Sequence, residues 1–372
     1  MGSMSAVNLD FSEEQKSLQT QLRGQLERHS GLKSARDALE GRAAFDAVLW
    51  RELGDLGWLS VALPEELGGQ NLGHEMLCLV AEEIGRSMAA LPFASSICLA
   101  AEAILTAGSE EQRREWLPTI GAGKKLGAFA IAEEAGVLHA RAIRTTCAAG
   151  RIHGCKVGVS DGMVADVFVV VALRDGEPQL FLVRADEPGL SRQAQTGVDP
   201  SHAPALLQFA DVVAQPLNSF GWGSVRNLLD RAATLIAFEQ IGAADAALGL
   251  SLEYAQQRVA FGRVIGTYQA IKHKLADVWI ANQLARANAY YGAYALQSDA
   301  KALPLAAATA RVSASEALER AARELIQVHG GIGVAWEHDA HLYYRRSQQL
   351  SLQLGGLREW QDRLVVGLAL SA

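Results

Sequence analysis

Glu239 stands in an apolar run, Leu235-Ile-Ala-Phe-Glu-Gln-Ile-Gly-Ala-Ala244, with no Lys or Arg within four residues on either side to form a helical ion pair. An acid in such a run costs free energy unless it is satisfied or functional. Burial there raises its pKa, which suits a carboxylate that must take a proton. A solvated or subunit-interface acid is the competing reading. Asp230 is the second carboxylate on the same helical run, but beside Arg231 and near the probable helix start it is more simply an N-terminal acid favoured by the helix dipole. Ser160, in Gly154-Cys-Lys-Val-Gly-Val-Ser-Asp-Gly162, offers a hydroxyl at a strand end, where turn preference alone would also place a serine. Cys78, Cys98, Cys147 and Cys155 lack CxxC spacing and read as reduced thiols, with no zinc or other metal framework.

The setting of these groups is a chain of 372 residues with 34 basic and 41 acidic side chains, a formal charge of −7. Mild acidity gives no general attraction to nucleic acid or to anionic membrane. The longest nearly apolar stretch, Val164 to Leu173, is about ten residues against the ~20 that a spanning helix needs, so no membrane span is expected. The start has no basic-then-apolar signal, Met1-Gly-Ser before Met4 reads as a cloning scar, and a cytoplasmic location is expected. The balance of 35 Gly to 9 Pro is unusual for a chain so helical in pattern.

Three regions follow from periodicity. Residues 1–125 carry apolar positions at helical spacing, such as Phe45, Val48, Leu49, Leu53 and Leu56, and predict an α-helical domain of five or six helices broken at Leu63-Pro64, Leu67-Gly68-Gly69 and Leu91-Pro92. Residues 126–219 hold short β-rich runs separated by Gly, Asp and Pro turns, predicting a small antiparallel β-barrel or sandwich. Residues 220–372 return to long Ala- and Leu-rich helical runs, roughly 224–257, 267–298, 304–330 and 337–368, which predict a four-helix bundle. The fold class is therefore mainly α with a central β-domain.

With that order the chain resembles the acyl-CoA dehydrogenase family over essentially its full length. The segment from Arg258 through Phe261 and Gly262 to Gln269 matches the family's R-x-x-F-G-x-x-I-x-x-x-Q, and Gln327-Val-His-Gly330-Gly331-Ile-Gly333 matches Q-x-x-G-G-x-G. Leu63-Pro-Glu-Glu-Leu-Gly-Gly69 and Ala130-Ile-Ala-Glu133 are weaker supports. The resemblance implies that Arg258, Phe261, Gln269, Gln327, Gly330 and Gly331 hold the adenosine and pyrophosphate of an FAD whose flavin lies in a neighbouring subunit. An arginine fork suits phosphate oxygens, and paired glycines let backbone N–H groups approach an anion closely. Ala132 and Ser160 are the flavin-side positions the resemblance implies within this chain.

The pattern also departs from the family. Where relatives carry E-P-G-A-G-S-D, this chain has Glu133-Glu-Ala-Gly136-Val-Leu-His-Ala140; where a flavin-covering Trp precedes a Thr, it has Gly158-Val-Ser160; and where the C-terminal catalytic Glu stands, it has Gly355. Some family members place the base on the first long helix of the bundle, which makes Glu239, with Asp230 as alternative, the expected acceptor of the substrate's α-proton. The backbone N–H of Gly355 is expected to hold the thioester oxygen. The expected activity is FAD-dependent α,β-dehydrogenation of a bulky acyl-CoA, ring-bearing, branched or of the sterol side-chain type, in fatty acid or steroid degradation. The expected partners are an electron-acceptor flavoprotein and a related subunit in a homo- or heterotetrameric dimer of dimers. The alternative is a catalytically silent subunit that completes the FAD site of an active partner.

Overall fold

A computed structural model describes residues 10–29, 31–134 and 138–371; the Met1-Gly-Ser extension and Gly136 lie outside the described residues. Six α-helices form the N-terminal region: α1 (Glu13–Leu26), α2 (Gly31–Leu39), α3 (Ala47–Asp55), α4 (Gly73–Ser87), α5 (Glu102–Ala107) and α6 (Glu110–Gly121), with a π-helical segment, Ala94–Ala101, leading into α5. Side chains close the starts of α1 and α6. Ser12 and Gln15, and likewise Ser109 and Gln112, cap each other's backbone N–H groups. Helix α4 is buried without interruption from Met76 to Gly85 because it packs against α1 as well as α7 (Gly221–Gln257) and α8 (Gln269–Gln297). Its two buried acids are ion-paired from opposite sides, Glu83 with Arg23 of α1 at 2.7 Å and Glu82 with Arg286 of α8 at 2.8 Å, though Oε2 of Glu82 has no partner among the described residues. At the α4–α7 crossing two glycines make room for the opposing backbone. A Cβ on Gly85 would come within 1.9 Å of the Glu239 carbonyl oxygen, and one on Gly242 within 1.9 Å of the Glu82 carbonyl oxygen.

The middle region is one curled sheet of β1 (Gly127–Ala130), β2 (Thr146–Ala148), β3 (Arg151–Val159), β4 (Val167–Arg174), β5 (Glu177–Arg184), β6 (Leu190–Ala194), β7 (Ala205–Val213) and β8 (Gln215–Pro216), in the order β6-β7-β3-β2-β4-β5-β8, with β1 beside β4. The pairing is mostly antiparallel, but β1 and β2 both run parallel to β4, which the turn-rich sequence did not disclose. Alternation along β4 serves two cores at once. Val167, Val169 and Val171 face the helices, whereas Phe168, Val170 and Ala172 fill the sheet's own interior.

The C-terminal region holds α7, α8, α9 (Leu303–His329), α10 (Ala340–Leu352) and α11 (Leu357–Ser371). The predicted fourth helix over 337–368 is two helices, because Gly355 adopts φ +91°, a left-handed conformation that ends α10. Between α7 and α8 the strands β9 (Val259–Ala260) and β10 (Arg263–Val264) form a hairpin whose two-residue turn, Phe261 (φ +53°) and Gly262 (φ +81°), has positive φ at both positions. By length and composition α7 is apolar enough to cross a membrane, yet 72% of its apolar window is buried inside the protein. No unbroken apolar run signalled it because Asp230, Arg231, Glu239 and Gln240 interrupt it.

Candidate active site

A cleft of about 340 Å³ lies where the sheet meets the C-terminal helices. The end of β1 and the residues after it contribute Phe129, Ile131 and Ala132; the end of β3 contributes Gly158 and Ser160; α10 and the turn after it contribute Gln349, Gln353 and Gly355. Its volume falls in the range of small-molecule and cofactor sites. One wall is anchored by an internal ion pair. Lys156 of β3 donates to Glu133 at 2.7 Å and to the Ile131 carbonyl at 3.0 Å, while Glu133 also accepts the N–H groups of Arg144 and Thr145, each at 2.9 Å. Burial pulls Lys156 down to about 8 against the attraction of Glu133, and Glu133 lies below the usual carboxylate range because Lys156 and the backbone donors outweigh its own burial.

Ser160 accepts a long contact from the Gln349 amide at 3.5 Å. Gly158, at φ +61°, has open space where a side chain would stand, so this wall of the cleft carries no cover. Gln353 has both amide atoms buried with no partner among the described residues, a polar group left for a ligand to satisfy. The N–H of Gly355 is occupied, donating to the Leu352 carbonyl at 3.2 Å. A Cβ on Gly355 would come 2.5 Å from Oε2 of Glu359 and 3.4 Å from Leu138, another residue of the cleft wall.

Glu239 and Asp230 do not line this cleft. Glu239 is 2% exposed at the α4–α7 crossing, its Oε2 without a partner; burial raises its pKa against the cations of Arg346, His202 and Arg311. Nearby, Arg346 donates to Asp199 at 2.6 Å, and Ser95, which does line the cleft, donates to Asp161 at 2.5 Å. Asp230 is ion-paired with Arg363, yet burial outweighs that partner and pushes it up to about 6. An apolar run discloses burial but not which cavity, if any, the buried acid faces. Gln349 and Gln353, which do line the cleft, carried no such signal, being glutamines in a stretch of mixed polarity.

The motif residues form a second locus. Arg258, Phe261, Gln269, Gln327, Gly330 and Gly331 are all exposed, and Phe261 is 96% exposed. Among the described residues the side chains of Arg258, Gln269 and Gln327 make no hydrogen bond or ion pair, and a Cβ on Gly330 or Gly331 would meet open space. The two motifs meet in the fold, since Tyr254, one turn before Arg258, stacks on His329, which precedes Gly330, with ring centroids 4.0 Å apart. Unpartnered donors and open glycine backbone suit a phosphate-bearing group presented from outside the chain. The residues present there fit the adenosine and pyrophosphate of FAD, and the orphaned Gln353 amide leaves the cleft a polar group for a ligand.

Helices, curled sheet and helix bundle surround a cleft of the size that holds small molecules and cofactors. The chain belongs to the acyl-CoA dehydrogenase family, whose members are FAD-dependent oxidoreductases acting on the CH–CH bond of acyl-CoA. Residues 12–124 match "Acyl-CoA dehydrogenase, N-terminal domain" and residues 220–366 match "Acyl-CoA dehydrogenase, C-terminal domain". It is 33% identical to the acyl-CoA dehydrogenase IpdE2 of Mycobacterium tuberculosis over 95% of this chain and 96% of that protein. Among solved structures it is similar to a variant of the Tcur3481-Tcur3483 steroid ACAD (TM-score 0.87, 32% identity, 96% of this chain and 98% of that one). It is also similar to the ChsE4-ChsE5 complex from Mycobacterium tuberculosis (TM-score 0.89, 28% identity, 98% and 99%).

Proposed function

We propose that this chain is one subunit of an acyl-CoA dehydrogenase oligomer that oxidises a bulky acyl-CoA thioester, ring-bearing, branched or of the sterol side-chain type. The observation that carries the reading is the cleft itself, left open at Gly158 and holding the unpartnered Gln353 amide. Its likeness to a steroid ACAD supports the substrate class, and its likeness to the ChsE4-ChsE5 complex supports a related partner subunit.

FAD, when bound, supplies the acceptor for the β-hydrogen and its electron pair. This chain's own residues do the rest. Ser160 and the backbone at Ala132 would hold the flavin of the cleft, and Arg258, Phe261, Gln269, Gln327, Gly330 and Gly331 would hold the adenosine and pyrophosphate of a cofactor shared with a neighbouring subunit. Phe129, Leu99 and Leu138 give part of the cleft wall an apolar surface against which an acyl group would pack. The thioester oxygen needs a donor as negative charge develops on it. The Gln353 amide is free for that role, whereas Gly355 would first have to release Leu352. An electron-acceptor flavoprotein and a cytoplasmic location complete the reading.

The visible spectrum of the protein, purified alone and co-expressed with a related family member, tests it. A yellow protein that reduces an acceptor dye faster with a steroid side-chain acyl-CoA than with butyryl-CoA is expected. The absence of Glu239 and Asp230 from the cleft favours a second reading, a catalytically silent subunit; a chain that is colourless alone and inert to every thioester in the complex would establish it.

A further inference from the structure

We infer that Gln195 is a ligand-contacting residue of the cleft, its amide nitrogen donating to a carbonyl-type acceptor on a ring laid against Gly158; the assignment rests on the dehydrogenase reading above. The argument begins in the β3–β7 ladder. Lys156 faces Leu207 and Val159 faces Ala205, so three steps along β3 are matched by two on β7, and Gly158 lies in the bulge between the paired positions. Its N–H, released from the ladder, donates instead to Oε1 of Gln195 at 2.7 Å. Gly158 has φ +61°, which favours glycine, and a Cβ there would meet open space, so the wall beside the amide is bare.

Both residues line the cleft, and Gln195 is pinned a second time by its own N–H, which donates to the Pro204 carbonyl at 2.9 Å. Only the oxygen of a side-chain amide can accept a backbone N–H, so the nitrogen of Gln195, with its two donors, is left over. Among the described residues it has no hydrogen-bond partner. The rest of the lining decides what those donors meet. Glu134 is the one charged residue among the described lining residues, its side chain 64% exposed and 3.8 Å from Arg144. A lining with a carboxylate and no cation disfavours an anionic group at this wall and leaves neutral donors for a neutral acceptor. Ser95 spends its hydroxyl on Asp161, whereas the amides of Gln195 and Gln353 remain available, facing the apolar surface of Phe129 and Leu99 across the same cleft. The occupant that matches is an apolar ring with a carbonyl edge. The isoalloxazine ring of a flavin and an oxo-bearing ring on an acyl group share that chemistry.

Two substitutions separate the donor from the tether. Gln195→Leu removes both, whereas Gln195→Glu keeps an oxygen for the Gly158 N–H and removes the donor. Flavin-loaded protein, in complex with its partner subunit if one is required, is assayed for FAD release on dilution by flavin fluorescence. Affinities for (4-oxocyclohexyl)acetyl-CoA and cyclohexylacetyl-CoA are measured by calorimetry. Loss of one hydrogen bond is read as a roughly 3- to 10-fold effect. Faster FAD release by that factor in both variants, with the ratio of the two thioester affinities unchanged, assigns the donor to the flavin. Retained FAD, with the affinity for the oxo thioester falling toward that for its plain analogue, assigns it to the acyl ring. Parental values in both variants overturn the inference. Parental values in Gln195→Glu with weakening in Gln195→Leu alone overturn it too, because the amide then serves only as a tether. A parent protein that takes up no FAD and binds neither thioester overturns the dehydrogenase reading as well.

Discussion

Lys156 shows how a single buried charge holds the cleft's wall in place. Its ammonium is fully buried, and its partner Glu133 is 7% exposed, so each depends on the other and on the backbone groups around them. Lys156→Met removes the donor to both Glu133 and Ile131 and leaves a buried carboxylate without its cation. A loss of about 3 kcal/mol in urea-unfolding free energy is expected, with faster release of bound flavin because the Ile131–Glu133 segment borders the cleft. At this scale the sequence was informative about residue type and silent about direction. The run around Glu239 marked a buried acid correctly, since the side chain is 2% exposed with a raised pKa. It could not tell whether that acid borders the cleft; in the fold it stands outside the cleft lining, among the charges of Arg346, His202 and Arg311.

At the scale of elements, the crossing of α4 over α7 is set by Gly85 and Gly242, each facing a backbone carbonyl of the other helix. Replacing Gly85 with Ala forces the helices apart. Overpacking of this kind costs about 1–3 kcal/mol or more, and thermal unfolding should show the corresponding fall in midpoint, partly offset by the higher helix propensity of Ala. The long helices were legible from periodicity and scarce proline, because an interior proline costs about 3 kcal/mol. Their ends and partners were less so. The split of the predicted last helix into α10 and α11 follows from one left-handed glycine, and the parallel placement of β1 and β2 against β4 depends on chain segments far apart in sequence.

Across the whole molecule, buried carboxylates tie the three regions together and make acid the expected means of taking it apart. Glu102, at the start of α5, is held down to about 2 by His74 of α4 and Arg231 of α7, which outweigh its burial. Asp199, in the β-region, is held down to about 2 by Arg346 of α10 and by His202, again against burial. Folded pKa values below the unfolded 4.5 and 3.8 mean that these contributions are complete above those values and vanish as pH falls toward about 2. For Glu102 the shift corresponds to about 3 kcal/mol, so unfolding free energy measured by urea titration should fall steeply between pH 4.5 and 2. A flat profile over that range would contradict the two ion-paired clusters.

What the sequence determined alone was the order of helices, sheet and bundle and the two spaced motifs, because periodicity and glycine placement act over a few neighbouring residues. Only the tertiary structure decided that Glu239 is enclosed and that Glu359 stands beside Gly355. Glu239 and Glu359 are both acids on helices of the same bundle, and what separates them is the packing around each. One is enclosed where two glycines draw α4 onto α7, and the other reaches into the space that Gly355 leaves open.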